Sequence, residues 1–464
     1  MRLTGTRNAA LSVGFKEAVL RNLPSAGEGG GLFVPAELEP WPDVSELLDL
    51  SWQERNVEIL HRLLAPEYTR QELQEIAREA FDFPVPLVPV LAVAPDGRGN
   101  GGGGPGGGSG PGGILALELF HGPSLAFKDF GARFLAAVVA RLAPDGPPDG
   151  AAGGGGGASR MVLTATSGDT GAAVAAAFSG RPGCGVAVLY PEGRISPLQE
   201  RQLACLGSNV LALAVAGSFD DCQRLVKACF ADAALAAELG LISANSINVA
   251  RLLAQILYYF AALAELRRLR PGAGPPLIAV PSGNFGNLCA GLYARALGLP
   301  AAGFVAATNA NRTVPDYLDG GRYLPRPGVA TLSNAMDVGD PSNWERISHL
   351  YRGDWAALRG ALRWGSLDDG ATVAALRRLW ALGYPADPHG AVAYGVLESV
   401  LHPGETGIFL ATAHPAKFHE LLAARGLAPP ELPPALQVLL GRPLRREVVP
   451  ADEERLKARL RDAR

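Results

Sequence analysis

Apolar residues recur along this chain in two distinct rhythms. Between residues 43 and 80, Leu47, Leu48, Leu50, Trp52, Val57, Leu60, Leu63 and Leu64 stand at helical spacing with mostly polar residues between them, which predicts an N-terminal helical region. From residue 159 onward, short apolar runs bounded by glycine and proline alternate with stretches of helical length. Met161 to Ala165, Val186 to Tyr190, Asn209 to Val215 and Leu277 to Val280 read as strands. Stretches 172–178 and 220–230, and the apolar stretch from Asn287 through Leu297, read as helices. Another helix begins after Ser196, where Pro197 takes the first helical position and Gln199 completes a capping box. Strands alternating with helices build a parallel sheet covered on its faces, so the expected fold class is α/β.

Two stretches interrupt this pattern. Residues 97–113 and 144–158 are dominated by glycine with proline and carry almost no apolar side chains, so they bury too little surface to offset the entropy of ordering. They read as flexible surface insertions. Neither lies between a strand and a helix, where a phosphate-gripping glycine loop belongs.

A chain of 464 residues has room for two or three domains. Its formal net charge of -3, with 19% charged residues, leaves no basic excess for a nucleic-acid backbone. Five cysteines, an odd number without C-x-x-C spacing, fit small buried thiols in a reducing compartment, and the seven dispersed histidines suggest no metal site. No apolar run reaches the roughly eighteen residues of a membrane span, and Lys16 and Glu17 stand where a signal peptide would place its apolar core. The expectation is a cytoplasmic protein with neither membrane nor nucleic acid as partner. A plastid form whose transit segment has been removed would read the same way.

The candidate chemistry starts between Leu119 and Leu135. This segment holds one lysine, Lys128, in a mostly apolar surround where a turn marked by Gly122 and Pro123 gives way to a helix. An exposed lysine has a pKa of about 10.4, but desolvation and a helix N-terminus favour the neutral amine, which can attack an aldehyde to form a Schiff base. A lysine laid along an apolar wall, its head in water or paired with Asp129, fits the segment equally well. The second motif is the turn Pro281, Ser282, Gly283, Asn284, Phe285, Gly286, Asn287 after the strand at 277–280. Such a turn points several backbone N–H groups at one spot where the helix dipole favours a phosphate. It lacks the dinucleotide and Walker spacings, and ordinary tight turns share its Gly and Asn. A reactive lysine combined with a phosphate cradle suggests pyridoxal phosphate, an aldehyde cofactor that acts as an electron sink.

These segments resemble the threonine synthase family, pyridoxal-phosphate enzymes with a tryptophan synthase β-like fold. The resemblance spans nearly the whole chain. It takes in Ser12 to Val19, Tyr190 to Leu203, Asn245 to Asn248 with Arg251, Thr308-Asn309, Thr331 to Asp337, His389 to Tyr394 and Ala411 to Phe418. The two glycine-rich insertions depart from the family pattern but avoid every motif.

The resemblance implies fold type II, with two parallel-type α/β domains and an N-terminal helical region. Its domains would be 1–96 (N-terminal), 114–143 with 251–464 (large, cofactor-binding) and 159–250 (small), with insertions at 97–113 and 144–158. It implies that Lys128 is the Schiff-base lysine and later the base, that Gly283, Asn284, Phe285 and Gly286 hold the cofactor phosphate, and that Asn287 reaches either phosphate. Thr412 would meet the pyridine nitrogen and Asp169 the phenolic oxygen. Ser167, Thr170, Asn245, Ser246 and Arg251 would bind substrate, Arg251 as a planar fork of donors for its phosphate.

Each position also has a plain structural use. Residues 167–171 suit a helix cap, Asn248 could cap its helix while Arg251 pairs with an acid, and Thr412 could be a buried threonine satisfied by backbone. The implied reaction converts O-phospho-L-homoserine and water to L-threonine and phosphate in a monomer or homodimer, with domain closure around the substrate. The alternatives are a related phospho-lyase releasing 2-oxobutyrate and a non-catalytic binding protein that has kept the fold.

Overall fold

The computed structural model describes residues 1–24, 26–91, 113–142, 160–207 and 209–463. The glycine-rich stretches 97–113 and 144–158 lie outside the described residues, Gly113 apart. Two mainly parallel sheets carry the chain. The larger runs in the order Leu362–Ser366, Gly303–Thr308, Leu277–Pro281, Gly407–Ala411, Ile114–Glu118, Leu87–Leu91, with only the last pair antiparallel. The smaller is wholly parallel, in the order Glu447–Pro450, Val210–Ala216, Cys184–Pro191, Arg160–Ala165, Leu241–Ser243. Strands covered by helices on both faces become continuous apolar runs, and Ile278, Ala279 and Val280 are accordingly fully buried.

Two boundaries differ from the sequence expectation. Residues 1–96 are not only helical: Asn8–Val13, Leu3–Gly5 and Phe33–Pro35 form an antiparallel sheet of their own, and Leu87–Leu91 joins the large sheet. The C-terminus does not stay with the large unit, because Glu447–Pro450 pairs with Val210–Ala216, and Val449, Leu456 and Leu460 enter the apolar core of the small sheet. A four-residue edge strand with one buried side chain carries no readable period, so only long-range pairing reveals it.

Helix Val249–Leu269 is apolar and long enough to cross a membrane, but 94% of its apolar window is buried inside the fold. It packs between Lys128–Arg141 and Gly286–Ala296, the two helices that open at the candidate lysine and the glycine turn. Gly131 makes this possible, since a Cβ there would stand 3.0 Å from the Arg251 carbonyl oxygen. On its other side the lysine helix is anchored by stacked rings, Phe130 and Phe134 lying 6.1 and 6.0 Å from Phe81. Full burial of such a ring contributes about 1.5–3 kcal/mol.

The candidate segments converge through the sheet. Leu277–Pro281, Gly407–Ala411 and Ile114–Glu118 are adjacent parallel strands, spaced about 4.8 Å apart. Their carboxyl ends release, side by side, the glycine turn, Thr412 and the turn that leads to Lys128. The carboxyl edge of an open α/β sheet is where such folds bind ligands.

Candidate active site

Main-chain hydrogen bonds tie the lysine turn to the segment after Gly407–Ala411. Leu119 N donates to Ala411 O at 3.0 Å, Phe127 N to Thr412 O at 2.9 Å and His414 N to Leu125 O at 3.0 Å. Lys128 is the first residue of its helix, and its side chain is only 14% exposed. Burial lowers its ammonium to about 8; Asp169 and Asp387 oppose that shift, while Lys417 and Arg251 add to it. The pairing of Lys128 with Asp129 does not occur. Asp129 is fully buried, accepts from Ser124 N at 2.9 Å and is pushed up to about 6 by burial. Lys128 Nζ instead lies 3.9 Å from Asp169 Oδ2.

Asp169 opens helix Asp169–Phe178 in the small unit. Its Oδ1 accepts from Lys417 Nζ at 2.6 Å and Gln199 Nε2 at 3.0 Å. Burial pushes its carboxyl up, but Lys417 and Lys128 outweigh this and hold it well below the usual carboxylate range. The turn before it is held by Thr166, whose hydroxyl accepts from Gly168 N at 2.9 Å and Gly171 N at 2.8 Å. Gly168 has φ of 132°, and a Cβ there would come within 2.5 Å of the Gln199 side chain. Ser167 and Thr170 flank this turn, half-buried.

The glycine turn ends in Phe285, whose φ of 59° starts helix Gly286–Ala296. Its backbone is braced from one side by Asn284, which accepts from Ser342 N through Oδ1 and from Asn343 N through its carbonyl, both at 3.2 Å. On the other side, a Cβ on Gly283 would stand 2.8 Å from Ala335 O and from Met336 Cα. Asn287 Oδ1 accepts from the Tyr258 and Tyr259 hydroxyls, each at 2.6 Å. This fixes the amide so that Nδ2, buried and without a partner, is left as a donor.

Arg251, 3% exposed, gives Nη1 to Ala244 O while its Nε has no partner. Burial lowers it to about 10, so it remains a cation at neutral pH, and among the described residues no carboxylate pairs with it. Asn248, with Oδ1 accepting from Ala250 N at 3.1 Å, caps the helix as its plain reading required. Asn245 uses its amide on Ala165, accepting from N at 3.3 Å and donating to O at 2.8 Å. Ser246 Oγ accepts from Asn343 Nδ2 at 3.1 Å. Thr412 is 5% exposed.

Comparison with known proteins decides what this edge belongs to. Residues 108–411 match the family model described as pyridoxal-phosphate dependent enzyme, 2–81 that of the threonine synthase N terminus and 390–459 that of the threonine synthase C-terminal part. Threonine synthase of Escherichia coli is 43% identical, with 97% of each chain covered, and that of Haemophilus influenzae is 45% identical, with 90% of each covered. The chain belongs to the threonine synthase family. The crystal structure of the Escherichia coli enzyme superposes with a TM-score of 0.88 over the whole of both chains. A structure of threonine synthase from Brucella melitensis, described as PLP bound, is 31% identical with a TM-score of 0.85 over 100% of this chain and 99% of that one. The protein is thus a pyridoxal-phosphate-dependent lyase of threonine biosynthesis.

The residues present fit that cofactor. A buried lysine whose ammonium is lowered to about 8 suits the aldehyde, and a helix N-terminus with an orphaned Asn287 donor and a side-chain-free Gly283 suits the phosphate. Among the described residues no His, Cys, Asp and Glu cluster could hold a metal, and the five cysteines are free and buried.

Sequence reasoning assigned no role at the site to several neighbours. Lys417, Gln199 and Asn343 act through residues remote in sequence. His389, whose Nδ1 stands 2.5 Å from Asp387 Oδ2, accepts from Ala335 N at 3.2 Å through Nε2. It thereby holds the loop that packs on Gly283. His389, Gln199 and Lys417 lay inside recognised motifs, and that was the only signal for them.

Proposed function

We propose that this site converts O-phospho-L-homoserine and water to L-threonine and phosphate, and that the residues gathered at the sheet edge carry it. The observation that supports the reading is the placement of a buried, easily deprotonated Lys128 beside Thr412 and the glycine turn on three adjacent strands. Lys128 would hold the cofactor through Nζ, the backbone N–H groups of Gly283 to Gly286 and Asn287 Nδ2 would hold its phosphate, and the Thr412 hydroxyl would meet the pyridine nitrogen. When bound, pyridoxal phosphate supplies an electron sink for carbanions next to the amino-bearing carbon.

The Lys128 amine would take the α-proton and then a β-proton, whose loss lets the γ-phosphate leave. It would return protons at the γ-carbon and, once water has added at the β-carbon, at the α-carbon, the spare proton of water departing with the phosphate. These roles need a lysine poised near neutrality. Asp169, kept ionised by its two lysines, offers negative charge beside Lys128 and the position assigned to the phenolic oxygen. Arg251, a buried cation with an unused Nε, matches the charge of the leaving phosphate, so it acts more on elimination than on resting affinity. Ser167, Thr170 and Ser246 supply hydroxyls to the substrate. Asn245 contributes by fixing the end of strand Arg160–Ala165. Water adds at the β-carbon after phosphate has left, so the small unit must close over the site beforehand.

Purified protein incubated with pyridoxal phosphate and O-phospho-L-homoserine should release threonine and phosphate in equal amounts. Release of 2-oxobutyrate in place of threonine would replace this reading with that of a phospho-lyase.

A further inference from the structure

Lys417 has the most restrictive setting of any lysine in the described residues: its side chain is 0% exposed. Its Nζ stands 2.6 Å from Asp169 Oδ1 and donates to Ser124 O at 2.9 Å. Lys128 Nζ reaches the same carboxylate only at 3.9 Å, on Oδ2. A carboxylate enclosed by two lysines has given its short contact to one of them. An ammonium can neither attack a carbonyl carbon nor accept a proton, so the Lys128 amine is best served where the short contact to the acid belongs to another group.

We propose that Lys417 is a positioning residue that keeps the Lys128 amine available by occupying Asp169. The charged groups facing Lys128 are Asp169 from the small unit, Lys417 from the short 3-10 helix Pro415–Phe418, Arg251 from helix Val249–Leu269 and Asp387 from the start of helix Pro388–Val400. Lys417 works on Lys128 twice, by direct repulsion and by neutralising the nearest acid. Its partners also come from both units. Asp169 belongs to the small one, while Ser124, whose carbonyl accepts from Gln202 Nε2 at 2.8 Å as well, belongs to the lysine turn. The ion pair that stands beside Lys128 therefore bridges the two units.

This rests on reading Lys128 as the cofactor lysine, and the test separates the two. Cofactor-free protein is acylated with acetic anhydride over the pH range in which lysines titrate, and mass spectrometry reads modification at Lys128. Lys417→Met should raise the midpoint of labelling by about one to three pH units. Asp169→Asn should lower it, and the double variant should return it towards the unsubstituted protein, a reversal that a general loosening of the fold would not produce. An unchanged or lowered midpoint in Lys417→Met overturns the proposal. If that variant does not fold, a raised or unchanged midpoint in Asp169→Asn overturns it equally. The cofactor reading is tested apart from this, by whether Lys128→Ala still develops a visible absorbance band with pyridoxal phosphate.

Discussion

The main-chain nitrogen of Phe127 donates to the carbonyl oxygen of Thr412 at 2.9 Å, so the residue before the candidate lysine is fastened to the residue proposed for the pyridine nitrogen. Because that bond uses only backbone, Thr412→Val leaves it intact and removes just the hydroxyl. The expected result is a shifted absorption band of the bound cofactor and a kcat about tenfold lower, the scale of one lost hydrogen bond of about 1–1.5 kcal/mol. An unchanged spectrum and turnover would remove Thr412 from the cofactor.

Uptake of pyridoxal phosphate by the cofactor-free protein should follow the neutral fraction of Lys128. A lysine lowered to about 8 becomes neutral as pH rises through that value, so the rate of uptake should climb below it and level off above it. An exposed lysine would keep climbing to about pH 10.4. Stopped-flow absorbance across pH distinguishes the two curves.

Gly283→Ala places a Cβ 2.8 Å from Ala335 O and Met336 Cα, both backbone atoms that cannot swing away. The loop must shift by several tenths of an ångström, and overpacking of this kind costs about 1–3 kcal/mol. Cofactor affinity, measured by equilibrium dialysis, should fall about tenfold or more. Unaltered affinity would mean that the phosphate rests elsewhere.

Arg251→Met keeps the length of the side chain and discards its buried charge. Turnover of the phosphorylated substrate should fall by about 10²–10³, the effect of losing one charge-matching donor group, while cofactor affinity changes little. Replacing an uncompensated buried cation by an apolar side chain is often neutral or stabilising, so thermal unfolding should not move down. A variant with normal kinetics would show that Arg251 is only a brace for Ala244.

Much of this site is legible before folding because its signals are local. Lys128 opens a helix after a Gly-Pro turn, and Phe285 and Gly286 end a glycine turn after an apolar strand, all within a dozen or so neighbouring residues. The capping box of Ser196 and Gln199 forms as its spacing predicts. What is not legible depends on partners distant in sequence. Asn287 needs Tyr258 and Tyr259 to orient its amide. Asn245 turns out to serve Ala165 through its side chain.

By itself, the amino-acid order determined the buried apolar strands, the helices between them and the chemistry offered at each turn, since these follow from periodicity and from backbone preferences of neighbouring residues. Tertiary structure decided which charges meet, giving Asp169 to Lys417 and leaving Lys128 at arm's length. It also decided that Leu87–Leu91 and Glu447–Pro450 join sheets far from their neighbours in the chain. The reason is that pair energies in a desolvated interior depend on distances set by the packing of whole helices and sheets, and a short stretch of sequence carries no record of those distances.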